Sequence, residues 1–439
     1  MSTLTFKGGV HPFDGKKFTN TKAIDEYFPE DGLFAIPLSQ HIGAPATPIV
    51  NVGDRVLVNQ KIGECSGFVS ANVHSSVSGT VKSIEPRKIA NGNKVDSIII
   101  ENDGLYEKMP VTDNRKLDEL SREDILVLIK EAGVVGMGGA GFPAHVKLSP
   151  KNPEKIDYII VNGAECEPYL TSDHRRMLEK PEVIVEGLKI VLSLFDNAKG
   201  IIAVEDNKMD AIIKLKKASA KEPNIEVKAL YTKYPQGGER SLIMATTKRK
   251  LDSSKLPCDV GCIVHNIDRI YAIYEAVVNK LPLTKRVITI TGDAIKYPGN
   301  FLVPIGADIE TFINATGEFK TTPEKIISGG PMMGMAIADT KIPVVKGTSA
   351  ILCFTKDEVS ECEPSNCINC GRCVSACPSR IIPSRLAKAA SVGDEEEFVK
   401  LNGMECVECG SCSYICPAKR HLTQSIKTMK KGILAKRRK

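Results

Sequence analysis

A multidomain α/β protein is what these 439 residues predict. Three observations carry that reading. Short β-branched runs separated by Gly and Pro fill residues 35–104, then strands alternate with amphipathic helices from Ser121 to about residue 284. The last part of the chain repeats one cysteine pattern twice, around residues 367–378 and 406–417, with helix-forming sequence between the copies. The composition is that of a globular protein, 42% hydrophobic and 26% charged, which excludes a disordered, collagen-like or coiled-coil chain.

In the β-rich part, Pro48-Ile49-Val50, Gly53 to Val58 and Val77 to Val81 read as strands. Val73 to Val81 is similar to the hairpin of biotinyl and lipoyl carrier domains. No Lys occupies its tip, so a docking role is expected rather than a carrier arm. Beyond it, Ser121 with Asp124 forms a helix-start signal, and Ile125, Leu126, Leu128, Ile129 and Ala132 follow at helical spacing. Tyr158 to Val161, Ile201 to Val204 and Val227 to Leu230 read as buried strands, with helices at Pro181 to Phe195 and Met209 to Ala218. Val287 to Thr291 opens a further β-rich stretch that runs to about Phe354.

Charge is unevenly placed. The net charge is +6, but seven basic residues and no acid lie between Lys427 and Lys439. Without those seven, 52 basic side chains face 53 acidic ones, so no nucleic-acid-binding face is expected. No apolar run approaches the roughly 20 residues of a membrane-spanning helix. Residues 1–7 lack the layout of a secretory signal, and a cytosolic chain is expected. Leu422, Ile426, Met429 and Ile433 fall on one helical face among Lys419, Arg420, Lys427, Lys430 and Lys431. That pattern suits a membrane surface or a partner subunit, or a helix packed on its own domain.

Fourteen cysteines need a metal role in a reducing compartment. Eight form two copies of C-x2-C-x2-C-x3-C-P: Cys367, Cys370, Cys373, Cys377 and Cys406, Cys409, Cys412, Cys416, each followed by Pro. This is the bacterial ferredoxin spacing for [4Fe–4S] clusters, in which the fourth Cys serves the other cluster. One set is therefore Cys367, Cys370, Cys373 and Cys416, and the other Cys377, Cys406, Cys409 and Cys412. Zinc knuckles and disulfides fit four-cysteine runs ending in Pro poorly. The 28-residue spacer, with helix-forming Arg385 to Ala390 and Asp394 to Leu401, points to a helical ferredoxin domain. Cys65, Cys166, Cys258, Cys262, Cys353 and Cys362 lack such spacing; Cys258 and Cys262 are expected to pack in a core.

Gly136-Met-Gly138-Gly139-Ala-Gly141 satisfies G-x-G-x-x-G, but it follows a helix and runs into Phe142-Pro143, outside the usual dinucleotide setting. By itself it allows a phosphate-cradling loop or a plain surface loop. With Lys147 it resembles the flavin loop of the NADH-oxidising flavoprotein subunit of respiratory complex I. Asn162-Gly-Ala-Glu165-Cys-Glu167-Pro168, Gly238-Glu239-Arg240 and Asn266 resemble further elements of that flavin pocket. Together with Phe6-Lys7-Gly8-Gly9-Val10-His11-Pro12, Gly329-Gly330-Pro331-Met332-Met333-Gly334 and the two cysteine runs, the order of motifs resembles the C subunits of Rnf complexes. Those membrane complexes exchange electrons between ferredoxin and NAD while moving Na⁺ or H⁺.

The resemblance implies a barrel-sandwich-hybrid-like β unit over 1–110 and a Rossmann-like FMN/NADH domain over 111–284. It further implies an SLBB-like β-grasp domain over 285–355, a two-cluster ferredoxin domain over 356–425 and a basic tail over 426–439. FMN would meet Gly136, Gly138, Gly139, Lys147, Asn162, Glu165, Glu239 and Asn266, and NADH would meet Phe142 and Glu167. Ala164 and Arg240 depart from the acids of complex I. The implied cofactors are FMN, NAD(H) and two [4Fe–4S] clusters. The implied partners are the other Rnf-type subunits at the cytoplasmic face of the membrane, the chain being peripheral. Flavin chemistry links hydride transfer at NADH to one-electron transfer at the clusters, so no acid–base triad is needed. A soluble cobalamin reductase of the propanediol-utilisation type and a non-catalytic iron–sulfur conduit are the competing readings.

Overall fold

The structure is a computed structural model and describes residues 3–139 and 141–437. Ala140 of the glycine motif and the last two residues of the basic tail lie outside that range.

The N-terminal β unit folds as two small antiparallel sheets. Leu33–Pro37, Lys94–Asn102, Gly79–Lys88 and Arg55–Val56 form one, and Thr47–Pro48, Lys61–Glu64 and Val73–His74 the other. Their facing side chains, among them Phe34, Ile36, Ile62, Val73, Ile98 and Ile100, are fully buried. The carrier-like hairpin is not a free tip. Residues 73–79 are buried, and the Ser76 hydroxyl donates to the Ile305 carbonyl of the following β-rich domain. Its docking is therefore internal to the chain.

The central domain carries four parallel strands in the order Ile225–Leu230, Lys199–Glu205, Tyr158–Gly163, Cys262–Asn266. Ile159, Ile160, Val161, Ile202, Ala203 and Val204 are each shielded on both faces, as a parallel sheet requires. Helices Pro181–Leu192 and Ile267–Val277 pack together through Ile184, Leu188, Ile270 and Ile273. Ser121 caps Arg122–Glu131 in the expected box with Asp124, whose amide it accepts. The fourth strand, Cys262–Asn266, has no counterpart in the sequence reading; its Cys262 is buried core, as the absence of a ligand spacing suggested. Strand order reverses between Tyr158–Gly163 and Cys262–Asn266, so the switch point of the sheet falls where Asn162 sits beside Asn266.

The third domain is a six-stranded mixed sheet with helix Ile309–Ala315 against it. Its central strands, Lys285–Thr291 and Ala350–Phe354, run parallel, as in a β-grasp. Two boundaries differ from expectation. The edge strand of this sheet is Ile24–Glu26, paired with Gly299–Pro304, so the first residues of the chain leave the N-terminal β unit. Ile36, Ile98 and Ile100 of that unit also share one core with Ile288, Ile290 and Phe312 of the β-grasp domain.

The cysteine-rich domain is helical, with Arg372–Ala376, Pro383–Ser391, Glu395–Lys400, Ser411–Tyr414 and Leu422–Arg437. The last helix crosses the expected boundary at residue 426. Leu422, Ile426 and Ile433 are buried on this domain with Leu386 and Phe398 for company, so the apolar stripe is packed within the fold and only the basic face is outward. No helix of the described residues is long and apolar enough to cross a membrane.

Candidate functional site

Gly136 to Gly141 links helix Arg122–Glu131 to the short helix Ala144–Lys147. Gly136 N–H donates to the Phe142 carbonyl at 2.9 Å, which closes the loop on itself. From helix Ile267–Val277, Arg269 reaches beneath and donates to Val135 O at 3.2 Å and Phe142 O at 3.0 Å. A Cβ on Gly136 would collide with that guanidinium. Burial brings Arg269 down to about 10, so it stays cationic at neutral pH. Gly138 and Gly139 are exposed, and a Cβ on either would meet nothing within 4 Å. The two glycines thus border open space, and Arg269 fixes a positive charge at the base of the loop, a setting that suits an anionic ligand. Phe142 is half-buried at the end of the loop.

Around this loop, Lys147 Nζ donates to Glu239 Oε1 at 2.7 Å, and Asn162 Nδ2 donates to Gly237 O at 2.8 Å. Asn162 and Asn266 are brought together by the strand register; Lys147 and Glu239 meet each other. Asn266 and Glu165 have their polar atoms engaged within the fold. Asn266 caps helix Ile267–Val277 and donates to Asp173 at 2.6 Å. Glu165 accepts the Asp173 amide at 2.7 Å and the His174 amide at 3.3 Å, at the start of helix Ser172–Glu179. Ala164 is buried in the core, which explains a small residue there.

Several residues of the site had no sequence signal of their own. Lys16, only 6% exposed, sends its ammonium to the carbonyls of Glu165, Glu167 and Leu170 at 2.8, 2.9 and 2.6 Å. Lys208 does the same for Ala164 O at 2.7 Å and pairs with Glu205. Two buried cations thus hold the Ala164–Leu170 loop from beneath. A lysine in a polar stretch such as Asp14-Gly15-Lys16-Lys17 reads as solvated, and only the fold shows otherwise. Arg269 could have been suspected, because it sits among Ile267, Ile270 and Ile273 on a buried helix face.

Glu167 turns away from solvent. Its Oε2 accepts the Met332 amide at 3.1 Å, and Gly330 leaves no room between that loop and the carboxyl. Burial raises its carboxyl to about 7. Its Oε1, the Tyr234 hydroxyl and Gln236 Nε2 are all buried, and among the described residues none makes a well-formed hydrogen bond, although the Tyr234 hydroxyl lies against the Glu167 carboxyl. Tyr234 packs with Val10, Ala376 and Cys409, and Met332 lies against the same cluster, its carbonyl facing Gly410. One layer of side chains therefore separates the switch-point loops from the cysteine domain.

Cys377, Cys406, Cys409 and Cys412 line one cavity there, flanked by Ile381 and Ile426. Gly410 takes a left-handed turn (φ 82°) at the head of helix Ser411–Tyr414, and Gly371 (φ 74°) does so in the first run. A zinc site would draw its sulfurs to a single point at about 2.3 Å. Among the described residues no three His, Cys, Asp or Glu converge in that way. Four thiols lining one cavity are the donor set a cube takes on deprotonation, one to each iron. Burial pushes Cys406 up to about 11 and Cys412 to about 12, so filling this cavity must displace protons. Of the other set, Cys373 is buried and Cys416 packs in the same apolar group, while Cys367 and Cys370 are exposed. Arg240, the departure from complex I, pairs at 2.8 Å with Glu405, the neighbour of Cys406. Its role is to bind the two domains together.

A four-stranded parallel-sheet domain is here joined to a helical domain that carries both ferredoxin-type cysteine runs. The family described as the Nuo51 FMN-binding domain matches residues 129–275, the RnfC barrel sandwich hybrid domain 4–105, and a 4Fe-4S dicluster domain 361–419. The chain is 47% identical over 436 residues to the C subunit of the Na(+)-translocating ferredoxin:NAD(+) oxidoreductase complex of Acetobacterium woodii, spanning 99% of this chain and 98% of that one. It is 47% identical over 384 residues to the C subunit of the proton-translocating ferredoxin:NAD(+) oxidoreductase complex of Clostridium ljungdahlii, spanning 87% and 84%. It is 38% identical to the C subunit of the ion-translocating oxidoreductase complex of Rhodobacter capsulatus, spanning 92% and 78%. An NAD+-reducing [NiFe]-hydrogenase structure shares the fold over 70% of this chain and 63% of its own, with a TM-score of 0.51 at 17% identity. The chain belongs to the family of Rnf-type complex C subunits.

Proposed function

We propose that this chain is the NAD(H)-reacting FMN and iron–sulfur subunit of an Rnf-type complex, peripheral on the cytoplasmic face of the membrane. The observation that carries the reading is the adjacency of the sheet's switch point to the four-cysteine cavity through Tyr234 and Met332. FMN, when bound, exchanges hydride with NAD(H) and single electrons with the clusters.

In this reading Gly138 and Gly139 offer backbone amides to the flavin, and the cation of Arg269 lies behind them. Lys147, Asn162 and Glu239 border its polar groups. Gly136 contributes by allowing Arg269 its place, and Glu165 and Asn266 by holding the loop and helix ends that face the ligand. Phe142 offers its ring to the nucleotide. Glu167 lies at the inner wall, where a carboxyl near pH 7 can hold or release a proton. Cys377, Cys406, Cys409 and Cys412 hold the cluster nearer the flavin domain; Cys367, Cys370, Cys373 and Cys416 hold one nearer the surface. Tyr234 and Met332 exclude water between flavin domain and inner cluster. The test is an iron, sulfide and flavin assay on anaerobically purified protein. About eight irons and one FMN per chain are expected, with NADH bleaching the flavin; no flavin after reconstitution would overturn the reading.

A further inference from the structure

The Phe6-Lys7-Gly8-Gly9-Val10 motif has no role in the function proposed so far, yet it is tied at both sides. Leu4 pairs with Leu230 at the edge of the parallel sheet, and Val10 pairs with Tyr234, exchanging hydrogen bonds at 2.8 and 2.9 Å. Between them the strap turns toward the cysteine domain. Gly9 N–H donates to the Ala376 carbonyl at 2.8 Å. Lys233 clamps the strap from the other side, donating to Phe6 O at 2.5 Å and Gly8 O at 3.0 Å, with its ammonium 4.0 Å from the Phe6 ring centre.

Both glycines are required by space as well as by conformation. Gly8 has φ +93°, and a Cβ there would stand 2.8 Å from Cys377 O and 3.1 Å from Cys377 C. Gly9 has φ +91°, and its Cβ would stand 2.8 Å from Tyr234 O. The atoms met are backbone, which cannot swing aside as a side-chain tip does. Cys377 is the one residue of its set that arrives from the other cysteine run. The three remaining ligands share one loop, braced by Lys430 at the Cys406 carbonyl (2.6 Å) and by Arg240 at Glu405, whereas the strap braces the Cys377 turn.

We propose that the Phe6–Val10 strap is a positioning element of the inner cluster: it fixes the crossover ligand Cys377 against the flavin domain, and Gly8 sets how closely they approach. The inference rests on Cys377 being a ligand of that cluster. Groups that orient metal ligands commonly change metal affinity by about 10–100-fold when altered.

The test uses the full chain, purified anaerobically, with each cluster followed by electron paramagnetic resonance and by its extraction with a ferrous chelator. In Gly8→Ala the inner cluster should be extracted about 10–100-fold faster and its spectrum should shift, with the outer cluster and FMN content unchanged. Gly53→Ala is the control: it has the same φ of +93° but no atom within 4 Å of the added carbon, and both clusters should match the wild type. Cys377→Ser identifies the signal concerned; if it alters neither cluster, the ligand assignment fails and the strap's role falls with it, whereas a lost signal with an unaffected Gly8→Ala overturns the strap alone. Gly8→Ala spectra and extraction rates equal to those of Gly53→Ala would overturn the proposal, as would equal damage to both clusters. Should Gly8→Ala not fold, Lys233→Met loosens the strap without adding an atom beside Cys377. It should speed inner-cluster extraction selectively, and an unchanged rate refutes the role.

Discussion

Replacing Lys16 by Met tests how the flavin-side loop is held. Methionine keeps most of the apolar stem but removes all three donors, leaving the carbonyls of Glu165, Glu167 and Leu170 without the ammonium they now share. An unsatisfied buried acceptor costs about 1–3 kcal/mol, and the three share one donor atom, so their losses do not add fully. A net loss of about 3 kcal/mol is the expected scale, a large part of the roughly 5–15 kcal/mol that keeps a domain folded. Because the deficit is confined to one loop, local opening is the appropriate measure. The amides of Asp173 and His174, bonded to Glu165, report it directly. Their hydrogen exchange should accelerate by about two orders of magnitude, with core amides such as those of Ile288 and Ile290 little changed. FMN content after gel filtration should fall in parallel. Exchange at Asp173 and His174 within threefold of the wild type would refute the account of Lys16 as the anchor of the loop.

Three further outcomes follow from the same geometry. Glu167 is raised from 4.5 to about 7 in the folded chain, so the stability of its protonated form is complete below pH 4.5 and is lost as pH rises through about 7, a swing of about 3 kcal/mol. Thermal unfolding of Glu167→Gln should therefore gain on the wild type between pH 5 and pH 8, and parallel profiles would contradict the burial. Gly330→Ala places a carbon 2.7 Å from the Glu167 Cβ, so it should destabilise by about 1–3 kcal/mol and lower the thermal midpoint. Cys412→Ala should abolish one cluster signal in electron paramagnetic resonance while leaving flavin bound; retention of both clusters would refute the ligand sets.

Local patterns made much of the fold legible. The Ser121–Asp124 box, the apolar parallel strands and the Met209–Ala218 helix depend on neighbours in sequence, and each forms where its residues suggested. Helix Pro181–Leu192 stops three residues short of the apolar run because Leu194 and Phe195 turn into the core as a loop. What periodicity could not carry was long-range. Nothing near Ile24 announces Asn300 as its partner, and nothing near Lys16 announces the Ala164–Leu170 loop. The cysteine runs were readable because a cluster imposes fixed spacing on consecutive ligands. The residues proposed for the flavin site rest on family resemblance, since Gly138 or Asn162 alone has no distinctive pattern. Arg240 shows the limit of that route: the position matches a known pocket, but its side chain serves the domain junction.

The clasp of Gly9 on Ala376 ties residues 367 positions apart. During synthesis the early segment can engage the parallel sheet once residues 230–234 have emerged, whereas its second anchor, Ala376, follows much later. The strap thus joins a sheet made early to a cysteine domain made late, and its seam closes only when both are present.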